Sequence, residues 1–190
     1  MKKLIDKIKE IPKNYFSLND IRKVSDLEEG SIKVGVNRLV KASKLFKLSH
    51  GYYSLDNSKV DFEKLAVEIY KPSYLSFELV LAKYGVLNQK PVHLTLATTK
   101  RAKTVKTEKG NIIYRHLRSN LFWGYIKDGD ILIARVEKAF LDLAYLSLNG
   151  YAKFDIEEMN LDLLNMTLLK KYLKKFNSRR LNELILSRVI

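Results

Sequence analysis

Residues Ser31 to Leu55, SIKVGVNRLVKASKLFKLSHGYYSL, decide how the rest of the chain is read. On a helix, Ile32, Val36, Leu39 and Val40 fall on one apolar stripe, while Val34, Asn37, Arg38 and Lys41 face the other way. That outer face carries cations and an amide but no acid. Ser31 is placed to cap the first turn, and Glu28 and Glu29 suit the positive end of the helix dipole. After the helix come two short β-prone runs, Lys44 to Leu48 and Tyr52 to Leu55. Ser49-His50-Gly51 joins them, with Gly51 able to take the positive φ of a tight turn.

Upstream, Leu4, Ile5, Ile8 and Ile11 have helical spacing, and Pro12 stops that helix. Ser17 is expected to cap a second helix through Leu18, Ile21 and Arg22, with Asp20 placed for a reciprocal capping box. Helix, helix, turn, helix and hairpin, in that order, make a winged helix-turn-helix over residues 1–58. This arrangement lays a basic helix in the major groove of duplex DNA. Asn37 then suits adenine, Arg38 guanine and Val34 a thymine methyl. Ser31, Lys33 and Lys41 lie on or beside the same face, and Lys44, Lys47 and His50 are placed to hold phosphates.

Downstream, Asp56 to Lys59 is a polar break, and 60–70 reads as a connecting helix. Ser76 is expected to cap a helix from Phe77 to Tyr84, stopped by Gly85. The period then changes, and about 93–134 reads as a small antiparallel sheet. Its expected strands are His93 to Thr99, Thr104 to Lys106, Asn111 to Leu117, Phe122 to Tyr125 and Asp130 to Ala134. Helical spacing returns from Arg135, where Val136, Ala139, Phe140, Leu143 and Leu146 form a stripe ended by Asn149-Gly150. Glu137 and Lys138 read as a charge at the start of that helix and a surface lysine. A helical tail follows, with Lys170, Lys171, Lys174 and Lys175 clustered. The expected whole is α+β: the N-terminal domain, then a mixed α/β domain over 59–190 with helices at 135–190.

Charge is the strongest global signal. The 190 residues carry 35 Lys and Arg against 21 Asp and Glu, a net of +14 that draws the chain toward polyanions. Residues 83–118 hold nine Lys and Arg and one acid, a net of +8. Lys100, Arg101, Lys103, Lys106, Arg115 and His116 in that stretch are expected to form a second surface for nucleic acid or an acidic partner. With no cysteine, disulfides, thiolate zinc sites and cysteine nucleophiles are excluded. No pair of histidines has metal-ligand spacing, no glycine-rich phosphate loop occurs, and no acid is followed two residues later by Lys. The sequence thus points away from an enzyme, a cofactor or a metal. No apolar run approaches the ~18 residues of a membrane span and no signal peptide is seen, so a cytoplasmic protein is expected.

Six linked motifs carry a resemblance. They are Pro72-Ser73-Tyr74-Leu75-Ser76, Tyr84-Gly85, Thr98-Thr99-Lys100-Arg101, Tyr114-Arg115-His116-Leu117, Phe122-Trp123-Gly124-Tyr125 and Glu137-Lys138-Ala139-Phe140-Leu141-Asp142-Leu143. In order and spacing they resemble the AbiEi family, antitoxins of type IV abortive-infection toxin–antitoxin systems, over about residues 10–148. Arg135-Val136 stands where that family usually has a small residue and Pro. The resemblance implies an autorepressor whose N-terminal domain binds promoter inverted repeats, with the free monomer able to place two copies on one operator. It also implies that the C-terminal domain counteracts a cognate nucleotidyltransferase-type toxin. Two other readings remain at this stage: an interaction module that neutralises such a toxin through its basic C-terminal domain, with DNA binding secondary, and a nuclease.

Overall fold

In the computed structural model the chain separates into two compact units, Met1–Leu65 with Lys106–Lys109 and Ala66–Val105 with Gly110–Ile190. The structure describes residues 2–89 and 91–189, side chains of residues 2 and 3 excepted. Met1 of the expected first helix, Lys90 of the basic segment and Ile190 of the tail lie outside them.

The first unit runs α1 (Lys2–Lys9), β1 (Phe16–Ser17), α2 (Leu18–Val24), α3 (Glu29–Lys41), β2 (Phe46–Ser49) and β3 (Tyr52–Ser54). Its small sheet has the order β1-β3-β2 and is antiparallel throughout. The predicted apolar stripes converge here. Leu4 and Ile8 of α1, Ile21 of α2 and Ile32, Val36 and Leu39 of α3 are buried with Phe16, Leu45 and Tyr53. A Cβ on Gly35 would come within 2.7 Å of Leu4 Cδ2, so this helix-interior glycine admits α1 against α3. That close approach offsets the ~0.5–1 kcal/mol a mid-helix glycine costs.

The Ser17 capping box forms: the Ser17 hydroxyl accepts from the Asp20 amide at 3.1 Å and Asp20 accepts from the Ser17 amide at 2.8 Å. The two-residue strand at Phe16–Ser17 is additional to the sequence reading. It is too short for a period to register, and it is defined by its pairing with Tyr52 and Tyr53. Gly51 adopts φ 77° in the hairpin turn, and its carbonyl accepts from the Leu18 amide at 2.8 Å.

A six-stranded sheet follows in the order β6-β7-β5-β4-β9-β8, with β4 (Ser73–Leu75), β5 (Leu94–Thr98), β6 (Lys103–Thr107), β7 (Gly110–His116), β8 (Tyr125–Asp128) and β9 (Ile131–Ala134); all of it belongs to the second unit except Lys106 and Thr107 at the end of β6. The expected small antiparallel sheet is corrected to this larger mixed one. Pairs β4–β5 and β8–β9 are antiparallel, while β4–β9 and β5–β7 are parallel. Ser73, Tyr74 and Leu75 are all buried, the pattern of a central strand covered on both faces. On one face lies α4 (Phe62–Ile69), which runs across the division between the units: its Ala66 and Val67 carbonyls accept from the Tyr114 and Ser73 hydroxyls at 2.6 and 3.4 Å. The other face carries α5 (Glu78–Lys83) and α6 (Val136–Ser147), with α7 (Met166–Phe176) and α8 (Arg179–Arg188) beyond.

Two local expectations fail in this unit. Ser76 does not cap α5; the helix starts after Phe77 at φ 61°, and the Ser76 hydroxyl instead donates inward to Asp142 at 2.9 Å. The strand expected at Phe122 begins only at Tyr125, because a 3-10 turn at Ser119–Leu121 and Gly124 at φ 76° break the extended path. In the tail, α7 starts at an Asn165 cap, ends at Asn177 in the left-handed region, and α8 follows from a Ser178 cap. Among the described residues no helix is long and apolar enough to cross a membrane.

Candidate nucleic-acid interface

The first turn of α3 sets which residues face outward. Its start is Glu28, whose carbonyl accepts from the Ile32 amide at 3.0 Å, and no side chain caps it. The expected Ser31 cap is therefore incorrect: the helix begins two residues earlier, and Ser31 is an exposed residue inside it. With Ile32, Val36 and Leu39 locked into the core, Lys33, Val34, Asn37, Arg38 and Lys41 are all exposed on the opposite side. Val34 is 50% exposed and lines a shallow groove with Leu27, Glu28, Ser31 and Arg38, so apolar, acidic and cationic surface adjoin. Lys44, Lys47 and His50 are exposed on and before the β2–β3 hairpin, with Phe46 41% exposed among them.

Two acids, Glu28 and Glu29, stand at the start of this surface. Glu29 pairs with Arg22 of α2 and with Lys33, the latter at 3.1 Å, and the Lys33 hydrogen bond and the Arg22 charge hold its carboxyl below the usual carboxylate range. Lys33 is thus partly neutralised in the free protein. Asn37, Arg38 and Lys41, one to two turns further on, have no carboxylate near them in α3.

The second expected patch divides. Lys100 and Lys103 converge on Tyr70, with ammonium groups 5.3 and 5.2 Å from the ring centre, while the Tyr70 hydroxyl donates to the Arg101 carbonyl at 3.2 Å. Arg101 is exposed beside them. Lys106 is exposed but groups with the first unit. Arg115, expected to face a partner, is half-buried: its Nη1 donates to both oxygens of Glu78 at 2.9 and 2.8 Å, and its guanidinium lies 5.0 Å from the Phe77 ring centre. His116 is exposed, and its Nδ1 lies 3.0 Å from the Lys100 carbonyl. That carbonyl only accepts, so Nδ1 carries the proton and Nε2 is left for another contact.

The largest departure from the sequence reading is Lys138. Expected at the surface, it is completely buried and ion-paired with Asp142, itself completely buried one helical turn on. Asp142 also accepts from the Tyr74 and Ser76 hydroxyls at 2.9 Å each, and Lys138 donates to the Tyr74 oxygen at 3.0 Å. The ammonium lies 4.9 Å from the ring centres of both Trp123 and Phe176. Burial pushes the Lys138 ammonium down although Asp142 opposes it, and pushes the Asp142 carboxyl up although Lys138, Tyr74 and Ser76 oppose it. Burial, then the Asp142 charge, drives the Tyr74 hydroxyl well above its ordinary value. Glu137, expected as a charge at the helix start, does lie in the first turn of α6, but it is buried too and accepts from the Asn165 amide at 3.0 Å, joining α6 to α7.

A signal for this was present: 136–147 offers almost no polar face, and a helix apolar all round is buried, so its charges must find partners inside. Arg115 with Glu78 had no such signal, because the partners lie 37 residues apart. Among the described residues, no group of three or more His, Cys, Asp or Glu is arranged to hold a metal ion. Compared with known proteins, the chain matches no protein-family model, and no curated protein matches it significantly.

Proposed function

We propose that the protein is a sequence-specific DNA-binding transcriptional regulator, a repressor of its own promoter, whose first unit is a winged helix-turn-helix. The single observation that carries this reading is the outward face of α3, where Asn37, Arg38 and Lys41 are exposed together, with Lys44, Lys47 and His50 of the following hairpin segment exposed as well. A helix seated in the major groove through that face brings Asn37 and Arg38 to base edges, and Lys44, Lys47 and His50 to phosphates on either side. The partner is double-stranded DNA carrying inverted repeats, one copy on each half-site. The resemblance to AbiEi antitoxins extends the proposal to a cytoplasmic antitoxin of a type IV system acting without a catalytic step. Gel shifts on the gene's own upstream DNA at two salt concentrations test it. The expected result is a shifted band that survives excess random duplex; equal competition by random duplex overturns the specific reading.

A second reading, in which the protein neutralises a nucleotidyltransferase-type toxin through its second unit, is favoured by one observation. Lys100, Arg101 and Lys103 stand exposed together around Tyr70. In cells carrying such a toxin, the Lys100→Ala/Arg101→Ala/Lys103→Ala variant then loses protection while keeping DNA binding. Full protection by this variant overturns that reading.

A further inference from the structure

An open groove of about 770 Å³ lies in the second unit between the β6–β7 strands and the C-terminal end of α6. It is of the size that small-ligand sites occupy, ~300–1,000 Å³. Its two ends differ chemically. The strand end supplies Arg115 and Arg118, the former held in a fixed direction by its two contacts to Glu78. The helix end supplies Tyr145, Asn149 and Tyr151, with Tyr151 75% exposed, an unusual placement for so large a ring.

The last carbonyls of a helix carry partial negative charge, which would repel an anion at that end. Here the Leu148 carbonyl, next to Asn149, accepts from the Arg180 guanidinium at 2.9 Å. Among the described residues, no carboxylate lines the groove.

We propose that this groove binds a nucleotide, with the base between the tyrosines at the α6 end and the phosphates at Arg115 and Arg118. A flat ring stacks on Tyr145 or Tyr151, and Asn149 can both donate to and accept from a base edge. Among the described residues the Arg118 side chain has no carboxylate partner, while Arg115, already matched by Glu78, positions the phosphate rather than neutralising it. Lys103 belongs to the wall, but its ammonium is turned to Tyr70 and takes no part. The same chemistry is offered by a free mononucleotide and by a nucleotide at the end of a single strand. The site is separate from the face of α3, so it stands whether or not the protein reads duplex DNA.

Calorimetric titration of the full chain with ATP, with inorganic pyrophosphate and with a short 5′-phosphorylated single strand tests the proposal. It is accompanied by amide chemical-shift mapping on the unmodified protein. ATP or the single strand is expected to bind with one-to-one stoichiometry and shift amides of β7 and of residues 145–151. Preference for ATP marks a free effector, and preference for the strand marks a nucleic-acid end. Arg118→Ala should weaken binding by about tenfold or more, and Tyr151→Ala by about fivefold or more. Both residues stand at the surface, so neither change disturbs the core. The proposal is overturned if neither nucleotide form binds, if pyrophosphate binds as well as ATP, or if the shifted amides belong to α3. Asn37→Ala/Arg38→Ala should leave nucleotide binding unchanged, which separates failure of this site from failure of the DNA reading.

Discussion

The two units use lysine and arginine in opposite ways. In the first, the cations of α3 stand outside a small apolar core, and among the described residues no side-chain hydrogen bond or ion pair holds Asn37, Arg38 or Lys41. In the second, Lys138 is enclosed by Trp123, Phe176, Tyr74 and Asp142, and the core is built around it. An exposed cation contributes little to folding and is free to act on a partner. A buried one is committed to the fold, and its removal strands whatever it was paired with. The difference teaches that the net charge of +14 is not one property of this chain. Part of it is a surface and part is internal architecture.

The largest expected effect lies on the buried side. Asp142→Ala leaves Lys138 enclosed without its carboxylate, and should cost about 3–5 kcal/mol of unfolding free energy in urea titrations followed by the single tryptophan, Trp123. The directions of the two shifts set the sign of the pair's own contribution. A raised carboxyl sets in as a cost when pH rises from its unfolded to its folded value, and a lowered ammonium is a full cost below its folded value that fades as pH rises from there to its unfolded value. The pair therefore does not stabilise on balance at neutral pH. Lys138→Met/Asp142→Leu should be clearly more stable than Asp142→Ala alone; a double variant as unstable as the sum of the single ones breaks the contrast.

On the exposed side the order of effects reverses, with binding affected and folding spared. Arg38→Ala should weaken specific DNA binding by about 1–3 kcal/mol and relax preference at one base position, with unfolding shifted by less than about 0.5 kcal/mol. Fluorescence anisotropy on operator variants and a thermal melt read the two quantities. A fold-destabilising Arg38→Ala would show that α3 is not the free surface described.

A smaller effect belongs to the capping box that orients α2. Ser17→Ala should cost about 1 kcal/mol. Burial pulls the Asp20 carboxyl up, but the Ser17 amide and hydroxyl and Lys13 outweigh it and hold it below the usual range. Its stabilisation is thus present above the ordinary carboxylate value and is lost as pH falls through the lowered one. Asp20→Asn should flatten that acid limb, as measured by denaturant midpoints between pH 6 and pH 2.

The smallest effect sharpens the boundary of the proposed DNA surface. Glu29→Gln frees Lys33 and Arg22, and should strengthen duplex binding slightly while steepening its dependence on salt by about one counterion. An unchanged slope would place Lys33 outside the contact.

These contrasts also explain what could be read in advance. The stripe Ile32, Val36, Leu39 was legible because the period of a helix is local, and the Ser17–Asp20 box because it spans three residues. The hairpin was legible because Gly51 announces the turn. The mixed sheet was not, since parallel pairing of Leu75 with Ile133 and of Leu96 with Tyr114 depends on contacts far apart in the chain. Ser76 is instructive: it has the chemistry of a helix cap, and a buried carboxylate 66 residues away claimed its hydroxyl. Arg115 is half-buried for the same reason, with Glu78 as its partner.

The central claim, that α3 reads sequence, is tested most directly by a competition ratio. The affinity of the full chain for its own upstream DNA is divided by its affinity for random duplex at one fixed salt concentration, for the unmodified protein and for Asn37→Ala/Arg38→Ala. The account predicts a ratio of about 10³ or more that falls by at least about tenfold in the variant, while affinity for random duplex changes far less. A ratio near one, or one unmoved by the double substitution, would contradict it.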